Sequence, residues 1–390
     1  MHLLAAYFFV IVLPLEQEWR MPYHELIELW TVGAALVGLM ALPAGWLADR
    51  WSAPGMMVVF FVGLGGAAVM CGSATSPGSM WIGLCLLGSF ASIYHPVGIP
   101  WLVRSTTASR GKALGVNGIF GSVGVAGAGL VAGTLIDVAG WRAAFIVPGV
   151  VAVATGVVMF ACLRAGLIVD AEGRAAAAPP PPGTKGAQAF GILVLTMIAG
   201  ALVYQSTQAA LPKLFALRLS SLAGGGTMGI GAFIALVYGA AALTQVTAGH
   251  LADRYPLKPV YLSAFLLQIP CLGLVAYAGG PLLVLAAAAA VIFNVGSLPA
   301  ENMLLAAATP RGRHGLVFGL KFVLAFGAAP VAIKLVATLA GSTDGFASVF
   351  VVLSLCAAVG TVAILLFPAL RAIPASLGTD PVVTPPAVTS

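Results

Sequence analysis

Gly45-Trp46-Leu47-Ala48-Asp49-Arg50 and, about half a chain later, Gly249-His250-Leu251-Ala252-Asp253-Arg254 are two copies of one G-x-L-A-D-R string, each closing a long apolar run. A string that returns at such a distance marks two related halves. Composition names the medium in which they fold. Of 390 residues, 60% are hydrophobic and 8% charged, a balance that keeps no soluble chain of this length in solution, so the halves lie in a bilayer.

Outward from the two copies, apolar runs of about 18 to 25 residues recur between short polar breaks, the length an α-helix needs to cross about 30 Å of hydrocarbon. Twelve runs are predicted, over 3–15, 26–47, 55–75, 79–103, 112–136, 143–163, 189–212, 227–249, 259–278, 281–308, 315–340 and 346–368. The first is short. It has no basic flank and no small-residue cleavage site before Glu16, so it reads as a helix of the fold rather than a removed signal.

A net charge of +6 on a soluble chain points towards nucleic acid, but here the basic residues sort by loop and report orientation, and no nucleic-acid partner is expected. With the amino terminus inside, the cytoplasmic loops and tail hold Arg50, Arg104, Arg110, Lys112, Arg164, Arg174, Lys185, Arg254, Lys258, Arg311, Arg313 and Arg371. The outer loops hold Arg20, Arg142, Lys213 and Arg218. Both termini are therefore expected in the cytoplasm, most simply across a bacterial inner membrane. Cys71, Cys85, Cys162, Cys271 and Cys356 all fall within apolar runs and lack metal-ligand spacing, so they read as packing residues and no metal or cofactor is expected.

Between the sixth and seventh runs, residues 164–188 carry Asp170, Glu172, Arg174 and Pro179-Pro180-Pro181-Pro182. Such a stretch has little to bury and reads as a flexible cytoplasmic linker, joining a six-helix bundle over 1–163 to a second over 189–370. Residues 371–390 are expected to form a disordered tail. The halves also match at Leu13-Pro14 with Leu211-Pro212 and at Arg110-Gly111-Lys112 with Arg311-Gly312-Arg313. An even number of crossings separates matched points, so the halves run parallel about an axis along the membrane normal.

The repeated loop, together with Tyr94-His95-Pro96 and Gly98, Arg110-Gly111, a glycine-rich fifth run and Gly140-Trp141-Arg142, resembles the major facilitator superfamily of secondary transporters. Within it, these residues look like the group that includes the fosmidomycin-resistance-type exporters. The resemblance covers nearly the whole chain and implies an all-α membrane fold of twelve transmembrane helices in two parallel six-helix bundles. It further implies alternating access, a small-molecule substrate and a monomer. Asp49-Arg50 and Asp253-Arg254 are implied to hold the inner gate, since an aspartate at a helix end accepts backbone hydrogen bonds and meets an arginine across a moving interface. The other reading of these residues is that they are charged helix stops. Two positions depart from the family pattern: Trp51-Ser52-Ala53-Pro54 replaces the basic residues that usually follow the first loop, and Gly129 stands where the antiporter glycine motif carries proline. Gly121, Gly124, Gly127, Gly129 and Gly133 nonetheless suit close helix approach and are expected at the contact between halves.

An ionisable side chain in hydrocarbon costs about 3 kcal/mol on insertion scales, so each one invites a functional reading. His95 lies in the fourth run, Glu301 in the tenth and Lys321 in the eleventh, all about 12 to 15 Å from the cytoplasmic ends of their helices by helical rise. Glu301 and Lys321, joined by a short hairpin, are predicted to form a charge pair beside a central cavity with His95 across it. Such a group suits an anion bound at Lys321 or equally a coupling proton, because burial raises a carboxylate's pKa and histidine titrates near neutrality. Alternatively the pair only fixes packing while His95 bonds around the Pro96 kink. Tyr7, Tyr94, Asn117, Tyr204, Gln205, Gln208, Asn294 and Asn302 are further cavity candidates, each as fit for interhelical hydrogen bonding. Lys334 is expected to snorkel outward, Glu25 and Glu28 to sit at the interface, and Asp137 to pair with Arg142.

The sequence carries no phosphate-binding loop, nucleophile elbow or paired zinc ligands, which argues against an enzyme or an ATP-driven pump. The leading expectation is a proton-coupled exporter of a small organic compound. An importer or facilitator of the same fold stands beside it, and a non-transporting sensor or a lipid-handling protein stands further off.

Overall fold

A computed structural model describes residues 1–106, 110–168, 184–308, 314–341 and 346–368, all of them helix or short connection. The central parts of the predicted linker and the whole predicted tail lie outside the described residues. Helix α1 spans His2–Trp19; α2 runs in three segments, Tyr23–Glu28, Trp30–Leu39 and Ala41–Arg50; α3 spans Ala53–Gly72. Helix α4 comprises Pro77–Ala91, a π-helical turn Tyr94–Gly98 and Ile99–Ser105, followed by α5 at Arg110–Ala139 and α6 at Trp141–Arg164. The second half holds α7 (Thr184–Arg218), α8 (Thr227–Arg254), α9 (Leu257–Tyr277), α10 (Gly280–Gly296 with Leu298–Ala308), α11 (His314–Ala340) and α12 (Ala347–Leu365).

Eleven of the twelve are long and apolar enough to cross a membrane on length and composition. Helix α1 is the exception because Glu16, Gln17 and Glu18 extend it past its predicted end. It is nonetheless among the most buried helices: Tyr7, Phe8, Val10, Ile11, Val12 and Leu15 are each at most 1% exposed. It packs against α2, α5, α6, α7 and α8, so it fills the middle of the protein rather than facing lipid.

The second break in α2 and those in α4 and α10 follow from proline. Each proline lacks an N–H and clashes with the carbonyl four residues back, so the preceding turn must open. Pro43 lies just past the break at Met40, Pro96 sits inside the π turn, and Pro299 follows the break at Ser297. Pro96 and Pro299 hold matching places in the two halves, which bends α4 and α10 beside the residues that carry charge or titrate.

Packing repeats six helices on. Helix α3 packs against α6 and α4, α1 against α5, and α2 against α4; the second half repeats these pairs as α9 with α12 and α10, α7 with α11, and α8 with α10. The halves meet through α5 with α8 and α2 with α11, a pair of contacts that exchange under the same symmetry. The chain is thus two parallel six-helix bundles, as the sequence predicts.

The α5–α8 seam depends on missing side chains. A Cβ on Gly133 would stand 2.5 Å from the Thr227 carbonyl oxygen, and one on Gly129 would stand 3.1 Å from that of Gly231. The two backbones touch there, as small residues allow in lipid, where helices have no hydrophobic drive to associate. The other glycines of α5 correct the expectation: Gly121 and Gly124 face His2 and Leu3 of their own half, and Gly127 faces open space.

Candidate substrate and coupling site

A cavity of about 540 Å³ lies between the halves, walled by α1, α2, α4 and α5 on one side and α7, α8, α10 and α11 on the other. His95, Tyr94, Asn117, Tyr204, Gln205, Gln208, Glu301, Asn302 and Lys321 all line it, as does Asn294. Tyr7 does not; it is fully buried within α1.

One wall is ionic. Lys321 Nζ stands 2.6 Å from Glu301 Oε1 and donates to Asn302 Oδ1, also at 2.6 Å. The hairpin between α10 and α11 makes this meeting local, and the bend at Pro299 turns the short second segment of α10 so that Glu301 and Asn302 both reach Lys321. Tyr261, from α9, donates its hydroxyl to Glu301 Oε2 at 2.9 Å. Side-chain exposure is 5% for Glu301 and 11% for Lys321, so each charge depends on the other for solvation. Tyr261 is absent from the candidates read from sequence. A phenol in the fifth position of an apolar helix was the available signal, although nothing in the sequence ties it to Glu301.

The facing wall is aromatic. His95 stacks at 5.0 Å from the Phe326 ring of α11, with Tyr94 at 5.2 Å and His2 at 5.5 Å edge-on. The Tyr94 hydroxyl donates to Asn117 Oδ1, tying α4 to α5. Trp30 of α2, and Tyr204 packed edge-to-face at 5.9 Å on Tyr238, extend the aromatic lining. Asn294 Nδ2 donates to the Gly200 carbonyl at 3.1 Å and so holds α10 to α7. Gln245, Tyr238, Trp30 and Phe326 line the cavity too, and sequence reading passed over all four.

Polar contacts between the halves gather at the end of the molecule away from the A-D-R loops. Lys213 meets Glu16 at 2.5 Å, Lys334 meets Glu28 at 2.7 Å, and the Tyr23 hydroxyl donates to the Ala209 carbonyl at 2.7 Å. Asp137 accepts from the backbone N–H groups of Thr227 at 3.0 Å and Met228 at 2.8 Å, the first turn of α8. One expectation is corrected here. Arg142 pairs with Glu18 at 3.0 Å instead of with Asp137, because the start of α8 offers that carboxylate two unsatisfied donors. Lys334 has an exposed side chain, and its ammonium also bridges the halves by meeting Glu28.

At the other end, Asp49, Arg50, Asp253 and Arg254 are exposed. Among the described residues neither aspartate has a hydrogen-bond or ion-pair partner, while the Arg50 guanidinium lies 4.1 Å over the Trp46 ring. Among the described residues, polar contacts between the halves therefore tie the far end, whereas the A-D-R aspartates make none.

A sequence profile described as Major Facilitator Superfamily matches residues 1–241. The chain belongs to this superfamily. Major facilitator proteins are membrane transporters that take small-molecule substrates, which accounts for the cavity between two symmetry-related bundles. Among solved structures, the fold is similar to a bacterial homologue of the human lysosomal transporter Spinster, inward-facing and unoccupied. That match has a TM-score of 0.70 at 15% identity, covering 93% of this chain and 91% of the other. The inward-facing, occupied form of that homologue matches with a TM-score of 0.68 at 15% identity, covering 94% and 91%. A search of curated protein sequences returned no match.

Proposed function

We propose that this major facilitator protein is a secondary active transporter that exports a small organic solute in exchange for protons by alternating access. The single observation that carries the reading is the Glu301–Lys321 pair, 2.6 Å apart in the cavity wall. Protonating Glu301 leaves the Lys321 ammonium without its counter-charge in a poorly solvated wall, a change large enough to bias which end of the cavity stays closed. Contacts between the halves at one end, and unpartnered A-D-R aspartates at the other, support an inward-facing state of a protein whose A-D-R loops face the cytoplasm. The basic residues beside those loops support the same orientation, in a bacterial inner membrane with both termini inside. Tyr94-His95-Pro96 and Gly140-Trp141-Arg142 support placement near the fosmidomycin-resistance-type exporters.

An uncoupled facilitator is the second reading, favoured by Gly129 in the place of the antiporter motif's proline. Proteoliposomes decide between the two. Counterflow of a solute panel with and without an imposed pH gradient should show net accumulation only with the gradient. Equal rates under both conditions favour the facilitator, and no movement of any solute sinks both.

A further inference from the structure

The cavity wall has more hydrogen-bonding capacity than its own residues use, and apart from one Lys321 N–H, the imidazoles of His2 and His95 and the Met1 amino group, the surplus is uncharged. Glu301 spends one oxygen on Lys321 and the other on Tyr261. Lys321 spends two of its three donors on Glu301 and Asn302. The ionic wall therefore meets a solute as a neutral dipole. A solute with net charge would leave water for a low-dielectric space in which both full side-chain charges are already matched.

The unspent groups stand elsewhere. Gln205 of α7 and Gln245 of α8 both line the cavity, and among the described residues neither carboxamide has a hydrogen-bond partner. Each offers two N–H donors and one carbonyl acceptor. Tyr238 lies two helical turns before Gln245 on the same face of α8 and also lines the cavity; its hydroxyl has no partner among the described residues. Trp30 and Phe326 supply apolar surface across the space.

We infer that the cavity takes a solute without net charge, an aromatic or aliphatic body bearing an amide-type group, and that Gln205 and Gln245 orient that group. The inference rests on the transport reading for the solute's passage, whereas recognition follows from the wall itself.

The test uses the full chain in nanodiscs and three probes of one shape, 2-naphthylacetamide, 2-naphthylacetate and 2-naphthylethylamine, with binding read by equilibrium dialysis. The amide should bind at least about tenfold more tightly than either charged analogue. Gln205→Leu with Gln245→Leu should remove that preference. Gln245→Glu, which keeps size and polarity, should turn it towards the amine. Equal or tighter binding of the acetate or amine by the parent chain overturns the proposal. So does an amide affinity unchanged by the leucine pair, or no binding of any probe at its solubility limit. Amide binding without movement across proteoliposomes sinks the transport reading alone; transport of charged probes without amide binding sinks this proposal alone.

Discussion

Asp137 in the first half caps the helix that begins at Thr227 in the second, with its carboxylate 3.0 Å from the Thr227 nitrogen. A helix start leaves four N–H groups without partners, and here a side chain from the other bundle supplies the acceptor that a local cap ordinarily gives. Under the alternating-access reading, the bond exists only while this end of the molecule is closed. Asp137→Ala should weaken the closed state by about 1 kcal/mol, the ordinary worth of a cap, and shift the balance of conformers by roughly fivefold. Spin labels at the exposed positions Val138 and Leu222 report it as a broader distance distribution. Identical distributions in variant and parent would make the cap incidental.

The ionic wall separates structure from coupling only through a double change. Lys321→Gln alone leaves Glu301 unpaired and should destabilise the fold by about 3 kcal/mol. Glu301→Gln with Lys321→Gln restores neutrality and should insert and fold like the parent while losing gradient-driven transport. Accumulation at the parent rate in that double variant would reduce the pair to packing. Tyr261→Phe removes the second partner of Glu301, and should shift the pH dependence of transport without abolishing it.

Asp49→Asn and Asp253→Asn change residues outside the cavity lining, neither of which has a partner among the described residues. Each should lower turnover several-fold while leaving the solute's half-saturation nearly unchanged, because the loops act on exchange between states rather than on binding. Unchanged turnover in both, at equal abundance, would leave them as charged helix stops.

The seam offers a stability test. Gly133→Leu places a side chain where the Thr227 carbonyl already stands, and the neighbour is backbone that has no room to swing aside. Abundance and thermal stability in detergent should fall sharply, whereas Gly127→Ala, with open space before it, should be tolerated. Equal stability of both variants contradicts the packing of α5 on α8.

Orientation is checked from outside the cell. With native cysteines removed, a single cysteine at Gly183 should resist an impermeant maleimide in intact cells, and one at Leu222 should react. The reverse pattern turns the topology over.

The fold was legible because its signals are local or repeated: apolar runs of bilayer length, and one loop string written twice. Proline marked the bends at Pro96 and Pro299, although it could not say whether a π turn or a clean break follows. Glu301 and Lys321 were readable as neighbours because a short hairpin joins their helices. Partners across the halves were not readable. Nearness in sequence points Asp137 to Arg142, whereas its donors lie 90 and 91 residues on. Glu28 and Lys334 are 306 residues apart and meet only through the packing of α2 on α11. Gln245 and Tyr238 escaped notice because polar residues along a long helix give no sign of which face the other bundle covers.

The burial of α1 has a consequence for how the protein is made. This helix carries Glu16 and Glu18 at its far end, and although Glu16 accepts from the nearby Tyr23 N–H, Glu18 waits for Trp141 and Arg142, and the Glu16 ion pair waits for Lys213. More than half the chain must be synthesised before the last of these partners arrives. Until then one of the most buried helices of the finished protein carries two acids without their basic partners. Substitutions of Lys213 should therefore show first as lost yield, before any defect in the assembled transporter.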